Sequence, residues 1–356
     1  MSSLFSPLTL RGTTFRNRLW VAPLCQYSVE QQDGVPTDWH LVHLGSFALG
    51  GAGLVMTEAT AVSAIGRISP QDTGIWNDEQ RDAWSRITAF ITAQGAVPGI
   101  QLAHAGRKAS TYRQWDGEGT VPAEQGGWPT VAPSAIAFTG YAEPRALDAA
   151  ELPGIVADFV AAALRAVDAG FRLLEIHAAH GYLLHQFLSP LSNQRVDEYG
   201  GTLENRARLL LQIVSAVRDA VGTGIPVLVR FSATDWADDG WDQEQTATVA
   251  GWALDAGADF FDISTGGLVG GVHIPLAPGY QVSFAAHVHD SGVPVSAVGL
   301  ITEAQQAEEI VASGKADAVM MGREMMRDPH FAWRAAHELG VEIDYYPPQY
   351  VRARYR

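Results

Sequence analysis

The chain has 356 residues, 47% apolar and 18% charged, which is enough to bury a large core and too apolar for a disordered chain. Its 24 Lys and Arg against 39 Asp and Glu give a net charge of −15, which disfavours any general affinity for nucleic acid or an anionic membrane surface. The single cysteine, Cys25, excludes an intrachain disulfide, the first residues lack the basic-then-apolar pattern of a secretory signal, and no apolar run is long enough for a bilayer. A soluble cytoplasmic protein is expected.

In chain order, short apolar runs alternate with helical stretches. A first strand is expected over 19–22, ending at Pro23, with a helix over 40–49. A second strand over 53–57 precedes a helix over 79–94, and a third strand covers 97–102. Residues 104–150 are rich in Gly, Pro, Ser and Trp with weak periodicity. A connection that long is usually a functional excursion. An Ala-rich helix over 151–169 leads to a fourth strand over 173–177, followed by a helix over 203–221.

The fifth strand is expected over 227–231 with a helix over 243–255, and the sixth over 260–264 with a Gly/Pro-rich loop over 265–279. Strands over 295–298 and 318–321, with helices over 303–312 and 330–339, complete the pattern. A β-then-α unit repeated about eight times predicts an α/β fold, the (β/α)8 or TIM barrel. A doubly wound sheet is the alternative, but no Gly-x-Gly-x-x-Gly follows an early strand. The expectation is one domain over 1–356, with a capping segment at about 105–150 and an aromatic, basic tail at about 341–356.

In such a barrel the site lies at the C-terminal strand ends, so the residues there carry the reading. Pro23, Leu24, Cys25, Gln26 and Tyr27 follow the first strand, and Glu58 and Ala59 the second. The third gives Gln101, His104, Arg107 and Lys108; the fifth gives Arg230; the sixth gives Ser264, Gly266 and Gly267. The fourth ends in His177-Ala178-Ala179-His180-Gly181-Tyr182, two imidazoles and a phenol within six positions, groups that stabilise an oxyanion or deliver a proton near neutral pH. Gly299 and Gly322-Arg323 follow the last two strands, where barrels often bind phosphate through backbone N–H groups and a cation. That implies a phosphorylated cofactor. A metal site is disfavoured, because a three-residue His spacing off a strand lacks the helical His-x-x-x-His geometry and no third ligand string accompanies it.

The strings Ala22-Pro23-Leu24-Cys25-Gln26-Tyr27, Gln101-Leu102-Ala103-His104-Ala105-Gly106-Arg107-Lys108 and His177-Ala178-Ala179-His180-Gly181-Tyr182-Leu183 resemble the Old Yellow Enzyme family. So do Ser189-Pro190-Leu191-Ser192-Asn193, Asp197-Glu198-Tyr199-Gly200-Gly201 and Glu204-Asn205-Arg206. The cysteine after the first strand is similar to the bacterial thermophilic-like class, which includes xenobiotic reductases, and the resemblance runs from near Leu4 to about Leu339.

The resemblance implies an FMN-dependent ene-reductase of activated alkenes, reduced by NADPH, with NADH possible as co-substrate. Ala22, Pro23, Leu24, Cys25, Ala59, Gln101 and Arg230 would hold the ring, with Arg230 favouring its reduced, negatively charged form. Gly322 and Arg323 would take the phosphate. His177 and His180 would bind the substrate carbonyl, Tyr182 would protonate Cα and Tyr27 would seat the substrate. Cys25 would tune the potential. The chain departs from close relatives at Leu24, where methionine is common. Gln349-Tyr350-Val351-Arg352 is similar to the segment whose arginine enters a neighbouring subunit's site, so Arg352 is a substrate-binding candidate and a homodimer or homotetramer is expected. A flavin-binding sensor without turnover is the competing expectation.

Overall fold

The computed structural model describes residues 2–355; Met1 and Arg356, the outermost positions of the expected domain and tail, lie outside them. Eight parallel strands close into a barrel: β1 (Leu19–Val21), β2 (Leu54–Ala61), β3 (Val97–Ala103), β4 (Leu173–Ala178), β5 (Val227–Ser232), β6 (Phe260–Ser264), β7 (Val295–Ala297) and β8 (Ala318–Met321). Each strand pairs with its neighbour in sequence, and β8 closes on β1 through Val319 opposite Leu19. The TIM barrel is the observed fold.

Both faces of these strands are covered, so they read as apolar runs rather than clean alternations. The two-residue period still sorts them. In β4, Leu174, Ile176 and Ala178 pack outward against the helices, while Leu173 joins the barrel interior with Trp20, Leu54, Met56, Leu228, Phe260 and Met320. Glu175 and His177 therefore share the inward parity of Leu173. A hairpin, Leu8–Leu10 against Thr13–Phe15, covers the N-terminal end, where the Phe15 ring lies 4.9 Å from Trp20 and Trp20 lies 5.2 Å from Phe260. With that end plugged by large apolar side chains, polar groups can collect only toward the other mouth.

Several features differ from the sequence expectation, among them the hairpin of Leu8–Leu10 with Thr13–Phe15 and the short helices Leu183–Leu188 and Arg323–Arg327, which local periodicity did not mark. A helix over Val282–Asp290 was not anticipated; it is short, begins with a β-branched residue and is held by burial of Val282, Ala285 and Val288 rather than by propensity. Strand β2 continues to Ala61 past an irregular register between Met56 and Ala59, so Glu58 and Ala59 lie within the strand instead of after it. The first part of the aromatic tail makes contacts within the chain, which leaves open the expected role of Arg352 toward a neighbouring copy. The Tyr346 and Tyr350 rings lie 4.8 and 5.9 Å from Trp333, and the Tyr345 hydroxyl accepts from Asn17 Nδ2 at 3.1 Å.

The long excursion follows β3, as expected. It holds only 3-10 turns and a two-residue parallel pair, Val131–Ala132 with Arg145–Ala146, before the helix Leu152–Asp168. Arg107 ties it to the barrel mouth, donating to the Ile136 carbonyl at 3.0 Å and the Leu268 carbonyl at 2.7 Å. Among the described residues no helix is long and apolar enough to cross a membrane.

Candidate active site

A cleft at the C-terminal mouth, about 710 Å³ including its open side, is lined by Ala22, Pro23, Leu24, Arg230, Gly299, Gly322 and Arg323. These seven come from four separate strand ends, and their convergence follows from the barrel alone. Cys25, Tyr27 and Tyr182 pack together against Ala59, Ala103, Ala105 and Ile68. Gln101 turns into the barrel, where its Nε2 donates to Glu175 Oε1 at 2.7 Å. Arg352 is exposed on the tail and is not among the residues lining the cleft.

The His177–Tyr182 segment is held from several sides. His177 is inward on β4, and its ring lies 5.2 Å from that of His180 and 5.1 Å from that of Tyr182. His180 has φ 57°, with its N–H donating to Ser232 Oγ at 2.9 Å and its Nε2 2.8 Å from Ser264 Oγ. Lys108 Nζ donates to the carbonyls of His180 and Gly267, both at 2.8 Å, and burial pulls its ammonium down to about 8. His177 Nδ1 is buried and has no protein partner among the described residues.

Burial, and then the charge of Arg230, hold both imidazoles well below the usual histidine range. At neutral pH they are uncharged N–H donors, suited to a carbonyl oxygen rather than to an anion. Burial, followed by the neighbouring Cys25, pushes the Tyr182 phenol well above its ordinary range, so it keeps its proton. Burial and the carboxylates of Asp72 and Glu58 push the Cys25 thiol up in the same way, which makes it a poor nucleophile.

Gly181 is required where it stands. Its φ is +74°, and a Cβ there would come within 2.2 Å of the Gly267 carbonyl oxygen. A Gly181→Ala variant should lose at least roughly 1–2 kcal/mol to the left-handed backbone alone, before the collision is counted. Thermal or denaturant unfolding checks this; unchanged stability would show that the two loops separate easily.

The far end of the cleft is shaped for backbone contact. Gly299 has φ +119°, and a Cβ on it would lie 2.7 Å from Gln281 Nε2; one on Gly322 would lie 3.0 Å from Leu24 Cδ2. Arg327 is paired with Glu324 at 2.7 Å, whereas Arg323 has no carboxylate partner among the described residues.

Sequence reasoning gave no role to several residues that build the site. Gln281 accepts from Thr265 Oγ1 at 2.6 Å and donates to the Val298 carbonyl at 3.1 Å; it precedes the unanticipated helix, and nothing in the sequence marked it. His40 Nε2 lies 3.1 Å from Glu58 Oε1, and Glu58 Oε2 accepts from the Gln26 N–H at 3.0 Å, so the pair fixes the loop after β1. Glu175 and Asp262 were detectable from inward parity once the strands were placed. Among the described residues no group of three His, Cys, Asp or Glu is placed to hold a metal ion.

The sequence model of the NADH:flavin oxidoreductase / NADH oxidase family matches residues 3–342. An NADPH dehydrogenase of Listeria innocua is 48% identical over 355 residues, covering 99% of both chains, and an NADH:flavin oxidoreductase of Gibberella zeae is 47% identical, covering 96% of this chain and 87% of its own. Among solved structures, morphinone reductase superposes with a TM-score of 0.79 at 30% identity, covering 98% of this chain and 92% of its own. A 2-naphthoyl-CoA reductase in complex with 2-naphthoyl-CoA superposes with a TM-score of 0.87 at 25% identity; the match covers 95% of this chain and 52% of that longer one. The chain is an oxidoreductase that belongs to the NADH:flavin oxidoreductase / NADH oxidase family, the Old Yellow Enzyme family.

Proposed function

We propose that this flavin oxidoreductase is an FMN-dependent ene-reductase, reduced by NADPH and acting on alkenes activated by a carbonyl, nitro or imide group. The observation that carries the reading is the grouping of two neutral imidazoles and a neutral phenol, His177 buried and His180 and Tyr182 half-buried, on one segment at the mouth that also holds the Arg230-lined cleft. The residues fit FMN. Gly299 and Gly322 leave backbone exposed where a Cβ would collide, Arg323 offers a cation without a carboxylate partner, and Arg230 is buried at the cleft floor.

Bound there, FMN would supply two-electron hydride chemistry between NADPH and the activated alkene. Ala22, Pro23, Leu24, Cys25, Ala59 and Gln101 would hold the ring, and Gly299, Gly322 and Arg323 the phosphate. His177 and His180 would donate N–H groups to the substrate oxygen and draw charge toward it, and Tyr182 would hand its phenolic proton to Cα. Tyr27, packed beside Tyr182 and 6.1 Å from the Trp115 ring, would position the substrate under the excursion, which would act as a cap. Arg352, exposed and not among the residues lining its own cleft, would serve the site of a neighbouring copy in a homodimer or homotetramer.

The visible spectrum of the purified protein tests this. A yellow protein that bleaches with NADPH without oxygen and recolours with cyclohexenone is the expected result. A protein that bleaches but ignores enones would be a flavin protein with another acceptor, and one that takes up no FMN would refute the reading.

A further inference from the structure

At the level of Arg230, the barrel interior changes from apolar to polar on five successive strands. Gln101 on β3, Glu175 on β4, Arg230 on β5, Asp262 on β6 and Ser296 on β7 are all at most 5% exposed. The remaining strands contribute apolar side chains, Trp20 from β1, Met56 from β2 and Met320 from β8. Asp262 has the cation and a hydroxyl beside it: Arg230 Nε lies 2.8 Å from Oδ2, an ion-pair distance without hydrogen-bond alignment, and Ser296 Oγ donates to Oδ1 at 3.0 Å. Glu175 receives only the neutral Gln101 amide on Oε1, and its buried Oε2 has no partner among the described residues.

The charges in this layer do not balance if both carboxyls ionise. Arg230 is the one cation facing it; His177, next along β4, is neutral for the reasons given above. Two carboxylates against one guanidinium would leave a net negative charge in a dry interior, which is costly. One proton retained on the pair removes that charge. It belongs on the carboxyl without the cation and the hydroxyl, and burial together with the charge of Asp262 raises Glu175 accordingly.

We propose that Glu175 is a protonated carboxylic acid beneath the ring site and, through Asp262 and Arg230, the positioning residue that sets how much positive charge Arg230 offers the bound flavin. This rests on the flavin reading. With Glu175 neutral the layer has no net charge and accommodates the extra negative charge of the reduced ring; with Glu175 ionised the layer repels it. Reduction therefore favours the protonated form, and by linkage the reduced state holds a proton at Glu175 that the oxidised state releases as pH rises.

The test is the FMN midpoint potential of the holoenzyme across pH, for wild type and Glu175→Gln, whose amide copies the protonated acid in shape and charge. Above the pKa of Glu175 in the oxidised protein, the wild-type ratio of reduced to oxidised flavin should fall an extra tenfold per pH unit, about 30 mV for a two-electron couple. Glu175→Gln should match wild type at low pH and lack the extra fall. Parallel curves, or an equal offset at every pH, would overturn the assignment. Should Glu175→Gln lose FMN, the wild type decides by itself: a carboxylic C=O band in its reduced-minus-oxidised infrared spectrum, shifted in D2O, together with the bend in its curve, supports the proposal, and absence of both refutes it. A wild-type protein that takes up no FMN fails the flavin reading, whereas a yellow one with superimposable curves fails only this inference.

Discussion

On the proposed reading, in which Tyr182 is the proton donor, a Tyr182→Phe variant should reduce enones about 10²–10⁴-fold more slowly while its bleaching by NADPH stays at the wild-type rate, because the substitution removes only the proposed general acid. Tyr182 packs among Cys25, Tyr27 and Ala59, with its ring 5.1 Å from that of His177. A phenylalanine fills the same space. Burial holds the phenol above its ordinary range, so wild-type proton delivery should persist from neutral into moderately alkaline pH, in contrast to an imidazolium donor, which would fade through neutrality. The two half-reactions, measured separately by stopped flow, give the answer. Full enone reduction in Tyr182→Phe would move the proton source to solvent or to another side chain, and an equal loss in both half-reactions would mean that the phenol acts on flavin binding instead.

What could be read from the sequence was whatever the local pattern determines. The strands up to β8 follow from apolar runs bounded by Gly and Pro, and the barrel follows from their alternation with helices. The cleft residues Pro23, Leu24, Arg230, Gly299, Gly322 and Arg323 were found because the fold assigns the mouth to strand ends, and Ala22 was reached through the family resemblance. The short helix Val282–Asp290 was not found, since its stability comes from tertiary burial. Partners across the barrel were hidden for a related reason. That Asp262 meets Arg230, or that His40 meets Glu58, depends on strand register and helix docking, which single-chain periodicity does not encode. The left-handed backbone at His180 is likewise invisible in its residue type, and only Gly181 beside it hints at the turn.

An Asp235→Ala variant should cost about 3 kcal/mol or more of stability, because it leaves three buried donors without an acceptor at about 1–3 kcal/mol each. Asp235 Oδ1 lies 2.9 Å from His185 Nε2 with both side chains at 0% exposure, and Oδ2 accepts from Ser189 Oγ at 2.6 Å and from the Trp241 N–H at 2.8 Å. An alanine strands all three donors. The effect reaches the chemistry, because His185 Nδ1 accepts from the Gly181 N–H at 2.9 Å and so holds the turn between His180 and Tyr182. Burial works against the Asp235 carboxylate, but His185, Ser189 and Trp241 outweigh it and keep the group below the usual range. A depressed carboxyl stabilises the fold above its unfolded pKa and loses that contribution as pH falls through the folded value. The gap between wild type and Asp235→Ala, read from denaturant unfolding, should therefore be full at neutral pH and narrow only in acid, below the ordinary carboxylate range. Asp235→Asn, which keeps an acceptor for Ser189 and Trp241, should recover part of the stability. Its enone turnover should recover less, because a neutral amide orients His185 more weakly and leaves Gly181 less firmly held. If Asp235→Ala were as stable as wild type at neutral pH, the pair would be dispensable, and Lys108 with Ser232 would suffice to hold the turn between His180 and Tyr182.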